Sequence, residues 1–62
     1  MPFIEVSLTS GRSTAQKREL SEAVTRETAR ILGIPPSAVW IVFNDVDKTD
    51  WATGGKLMSE QT

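Results

Sequence analysis

The sequence predicts an α+β fold: a β-α-β subunit in which two parallel strands are joined by one long helix. Three observations carry this. Ile4, Val6 and Leu8 alternate with Phe3, Glu5 and Ser7, the period of a strand with one apolar face. Leu20, Val24, Thr28 and Ile31 recur at three- and four-residue steps, as on one face of an amphipathic helix. Val39 to Phe43 is an unbroken apolar run of strand length. A helix between two strands is the connection that parallel pairing requires, and its crossover is expected to be right-handed.

Each element has its own local cause. The first strand opens at Pro2, where a missing N–H does no harm, and Thr9, Ser10 and Gly11 end its alternation. Ser13 and Gln16 match a capping box, so the helix should begin near Thr14. Ala23 widens the apolar stripe, while Glu19, Glu22, Arg26 and Arg30 fall largely elsewhere; Glu22 and Arg26, four apart, suit a modest exposed pair. Gly33 stands where a left-handed C′ residue is expected, with Ile34 as its hydrophobic contact. Pro35 and Pro36 forbid continuation. The second strand runs from Val39 to Val46, and its continuous apolarity predicts burial on both faces. Asp47 to Asp50 form a polar loop. Gly54 and Gly55 mark a turn or a close backbone approach, and Lys56 to Thr62 either add a short strand or hairpin or fray.

The chain has 62 residues and reads as a single domain, 1–62. A chain this small buries only about 60% of its unfolded surface and usually needs a staple. It has no Cys, so disulfides are excluded, and with no His the usual zinc ligand sets are missing too. Self-association is the remedy left. One helix covers one face of a two-stranded sheet, and the open face and edges again ask for a second copy. Seven basic and eight acidic residues give a net charge of -1 with no basic block, which argues against a nucleic-acid partner. The longest apolar stretch, Ala38 to Phe43, is too short to span a bilayer. No charged and apolar leader opens the sequence, so the expected location is cytoplasmic.

Pro2 is the strongest chemical candidate. Removal of Met1 would leave it with a free secondary amine, and an unperturbed α-amino group titrates at about 7.7–8.0. Burial or a nearby cation lowers that value, toward the poise that proton-transfer catalysis uses. Arg12 lies just beyond the end of the first strand. Six strand steps from Pro2 to Leu8 span about 20 Å, so Arg12 cannot easily serve Pro2 of its own subunit. In a two-fold dimer with antiparallel strands, one copy's Arg12 can approach the other's Pro2, and symmetry makes the exchange reciprocal. Arg12 also sits at the mouth of the helix, where backbone N–H groups attract anions and its fork can grip a carboxylate. It reads equally as a solvated turn arginine.

Pro2 behind Met1, the strand Phe3 to Leu8, the Gly11-Arg12-Ser13 turn, the Gln16-Lys17 helix start, the second strand and the Trp51…Gly54-Gly55 segment together resemble the 4-oxalocrotonate tautomerase family. The likeness covers nearly the whole chain. It implies subunits that assemble into dimers and commonly a trimer of dimers, a homohexamer. It also implies a cofactor-independent isomerase that moves a proton on a small enol or unsaturated 2-oxo acid. Pro2 would shuttle that proton, Arg12 would hold a substrate carboxylate, and Trp51 would stand in for an aromatic residue that lines the site.

One departure bears on the substrate. Trp40 occupies a position where the best-known members of that family carry a second arginine, and an indole offers one neutral donor. Trp40 therefore reads as pocket lining or packing, and turnover of a dicarboxylate is in question. Asn44, Lys48 and backbone amides near Gly54 are further candidates for steadying an enolate. Dehalogenases and hydratases of the wider superfamily use a carboxylate to activate water; Asp45 and Asp47 are the candidates here, against a plainer reading as solvated loop acids. A non-catalytic oligomer is the third possibility. Two tryptophans in a small oligomer are often interface or core residues. Lys17 and Arg18 read as solvated, and Ser13 as a cap with no His to activate it. Gly55-Lys56 does not complete a phosphate loop, because Asp50 and Leu57 occupy the positions that need glycine and a hydroxyl.

Overall fold

Strand β1 (Phe3–Thr9) leads through the Gly11 turn into helix α1 (Thr14–Leu32). A 3-10 turn at Pro36–Ala38 feeds strand β2 (Trp40–Val46). A second such turn, Lys48–Asp50, precedes the two-residue strands β3 (Ala52–Thr53) and β4 (Lys56–Leu57), and a third, Met58–Glu60, follows them. This computed structural model describes residues 2–61. β1 and β2 pair in parallel, from Phe3 opposite Trp40 to Thr9 opposite Val46. The β-α-β unit with parallel strands is as expected.

The helix ends are fixed by the residues that predicted them. The Ser13 hydroxyl accepts from the Gln16 N–H at 3.1 Å, and the Gln16 side chain accepts from the Ser13 N–H at 3.1 Å. Gly33 adopts φ 66°, and its N–H and that of Ile34 both turn back to the Ala29 carbonyl. Both ends thus satisfy groups that a helix otherwise leaves unpaired. Ser13→Ala should cost about 1 kcal/mol, read as a lowered urea midpoint with unchanged slope; an unchanged midpoint would remove the cap's share of stability.

Ile4, Val6 and Leu8 of β1 and Ile41 and Phe43 of β2 are half-buried, as are Ser21, Val24, Thr25 and Thr28 of the helix. Among the described residues only Ala29 is buried, and it keeps 8% exposure. The extents of 42 × 24 × 14 Å leave room for one helix layer on one sheet layer. The radius of gyration is 14.5 Å, against about 10.6 Å for a compact domain of this length. A single subunit is therefore a slab without an interior.

That shape corrects two expectations. β2 is not covered on both faces within the subunit: Ile41 and Phe43 are half-buried, while Trp40 and Val42 are 55% and 40% exposed. Phe3, in register with Trp40, is 56% exposed beside it. The apolar run therefore serves two faces, of which the subunit fills one. The helix stripe is also narrower than its pattern. Val24 and Thr28 turn inward, whereas Leu20 and Ile31 are exposed, because a two-stranded sheet is not wide enough to cover the stripe's edges. On the outer face Glu27 pairs with Arg30 at 3.0 Å; the expected Glu22–Arg26 pair is not among the ion pairs of the described residues.

Candidate active site

Parallel register places Pro2 and Trp40 at one end of the sheet. The Trp40 N–H donates to the Pro2 carbonyl at 3.1 Å, so the ladder begins one residue before β1 itself. Pro2 is half-buried. Its ring, closed onto the backbone nitrogen, and this tied carbonyl leave the residue little freedom at the strand's mouth. The exposed Trp40 and Phe3 side chains provide apolar surface next to it.

Arg12 lies at the opposite end. The Ser10 N–H closes the ladder onto the Val46 carbonyl at 2.8 Å, Gly11 turns with φ 113°, and Arg12 follows in the open. It helps line a cleft of about 210 Å³ with Leu8, Gln16, Lys17 and Leu20. One subunit thus brings Pro2 to Trp40 and keeps Arg12 the length of β1 away. A second, larger groove of about 570 Å³ runs along the helix past Thr25 and Ala29 to Ile34 and Pro36, and none of the predicted site residues lines it.

Trp51 is reached from the Arg12 end of β2, through Asp47 and the Lys48–Asp50 turn. It is half-buried, and its carbonyl accepts from the Met58 N–H at 2.8 Å, which fastens the closing segment to it. β3 and β4 form the hairpin that the sequence left open. Gly54 and Gly55 take φ 58° and 81°, the two positive values that a tight type I′ turn needs. Gln61 clasps this hairpin, its amide donating to the Thr53 hydroxyl at 2.9 Å and the Lys56 carbonyl at 3.1 Å. Asn44 and Lys48 are exposed.

Two carboxylates considered for water activation are otherwise engaged. Asp45 accepts from the Lys17 ammonium at 2.6 Å, so Lys17 is paired rather than free in solvent. Asp47 caps the Lys48–Asp50 turn, accepting from the Thr49 N–H and hydroxyl, both at 3.1 Å. Those bonds, the backbone one foremost, hold its carboxyl below the usual aspartate range. A depressed pKa makes a carboxylate a weaker base. The Lys17–Asp45 contact was the feature missed from sequence. Its partners are 28 positions apart, and only the register of β2 brings them together.

Comparison with known proteins agrees with this architecture. A family model described as tautomerase enzyme matches residues 2–61. A 2-hydroxymuconate tautomerase from Comamonas testosteroni is 36% identical over 60 residues, covering 97% of this chain and 95% of that protein. A probable tautomerase of Bacillus cereus is 31% identical over 61 residues, 98% of this chain and all of the relative. A solved heterohexamer 4-oxalocrotonate tautomerase from Chloroflexus aurantiacus, 32% identical, superposes over the whole of both chains with a TM-score of 0.94. The chain belongs to the tautomerase family.

Proposed function

We propose that this protein moves a proton on a small enol or unsaturated 2-oxo acid, with Pro2 as general base and then general acid once Met1 has been removed. Arg12 of a neighbouring copy holds the substrate carboxylate, and Trp40 and Trp51 supply apolar walls. The amine takes a proton from the enol oxygen or a carbon and returns it to another carbon, so no cofactor is required. The observation that carries this reading is the placement of Pro2. It is a half-buried residue, tied by its carbonyl to Trp40, at the end of a sheet whose outer face is apolar at Phe3, Trp40 and Val42. The engagement of Asp45 with Lys17 and of Asp47 with Thr49 favours proton transfer over carboxylate-activated hydration or dehalogenation. The direct test follows ketonisation of 2-hydroxymuconate and of phenylenolpyruvate by wild type and Pro2→Ala, with mass spectrometry confirming loss of Met1. Equal rates would end the proposal.

The site is completed by association, as dimers and then a trimer of dimers; the relative from Chloroflexus aurantiacus is described as a heterohexamer. The open face bearing Phe3, Trp40 and Val42 is the surface such assembly would cover. Val42→Glu would bury a charge there, at a cost that blocks packing. The expected result is a drop to a smaller species in sedimentation velocity, with activity lost in parallel. A variant with wild-type mass would clear this face of any role in assembly.

A further inference from the structure

We infer that the Lys17–Asp45 ion pair sets the charge selectivity of the Arg12 cleft, tuning it to a ligand end that carries one carboxylate. The inference rests on the reading of Arg12 as the carboxylate anchor. Lys17 lines the same cleft as Arg12, so two cations border one space of about 210 Å³. They are not equivalent. The Lys17 ammonium is held by Asp45 at 2.6 Å, and the two side chains are 25% and 48% exposed. The lysine stem lies along the cleft while its head is drawn onto β2, as long basic side chains permit. Arg12 takes part in no ion pair among the described residues.

The remaining walls add no charge. Leu8 and Leu20 are apolar, and the Gln16 carbonyl oxygen is occupied by the Ser13 N–H. The Lys17–Asp45 pair sums to zero, so the cleft carries the charge of one guanidinium. A single carboxylate satisfies that fork through two parallel bonds. A second negative group in the same cleft would find the Lys17 cation already neutralised by Asp45. An exposed ion pair contributes little to folding, so this pair's placement beside Arg12 matters more to the ligand than to the fold.

Malonate and propionate are suitable probes, being of similar size and differing by one charge. Each is titrated at low salt into ¹⁵N-labelled full-length protein, following the Arg12 side-chain Nε–H resonance. The quantity read is the ratio of the propionate Kd to the malonate Kd. Asp45→Asn releases the Lys17 ammonium and should raise this ratio about fivefold over wild type. Lys17→Met leaves the Asp45 carboxylate uncompensated and should lower it. The double variant, neutral again, should return to the wild-type ratio and so exceed Lys17→Met; this comparison decides the matter even if Asp45→Asn alone folds poorly. An unchanged ratio in Asp45→Asn, or a shift in the same direction in both single variants, overturns the inference. The readout is binding, so the predicted pattern in a protein that ketonises nothing would defeat the proposed reaction alone. A Pro2-dependent enzyme without the pattern would defeat the charge assignment alone.

Discussion

Pro2→Ala should lower kcat/KM for ketonisation by roughly 10²- to 10⁴-fold, the range that a positioned general acid or base contributes. The loss should fall mainly on kcat, because alanine leaves the proposed carboxylate anchor untouched and exchanges the ring amine, proposed to act in the transition state, for a freely rotating primary amine. Alanine still presents an amine once Met1 is gone. What it lacks is the ring that stops the amine rotating about its Cα–N bond while the Trp40 N–H holds the carbonyl at 3.1 Å. A second reading comes from pH. With the free amine as the proposed base, kcat/KM should fall as pH drops through its pKa, about 7.7–8.0 for an unperturbed α-amino group. A variant within threefold of wild type, with the same acid limb, would show that some other group moves the proton.

The parts of this molecule that were legible in its sequence are those whose causes are local. Ser13 and Gln16 are three residues apart and cap each other directly. Gly33 ends the helix because a left-handed residue without a Cβ fits there. The alternation of β1 needs only its own side chains to be read. The closing hairpin was harder: Gly54-Gly55 carries the turn chemistry, but its strands are two residues each, too short to show a period. Features that depend on register were less accessible. Lys17 reads as solvated until β2 places Asp45 against it. The apolar run of β2 reads as doubly buried because a sequence does not say whose atoms cover each face. Trp40 and Val42 are apolar yet left uncovered by their own helix. The same division holds at the site. Pro2 and Arg12 were separable by counting strand steps, whereas the contact between Pro2 and Trp40 came only with parallel pairing.

That separation leads to the second large effect. Arg12→Gln should reduce kcat/KM by roughly 10- to 150-fold, as expected for a lost hydrogen bond to a charged group, with KM rising. Arg12→Gln and Pro2→Ala should nevertheless rescue one another. If Arg12 serves the partner's Pro2, a mixed dimer contains one site with both native residues and one with neither. Random re-association of equal amounts makes half the dimers mixed, so about a quarter of all sites, ~25%, are intact. Activity should climb from at most about 5% of wild type, the mean of the two separate variants, to about that fraction after the two impaired proteins are unfolded together and refolded. If both residues served one site within a single subunit, every subunit in the mixture would stay defective and no recovery would appear. Native mass spectrometry can verify that mixed species have formed. Mixed oligomers without recovered activity would refute a site shared between subunits, whether the two residues serve one subunit's site or act apart along the length of β1.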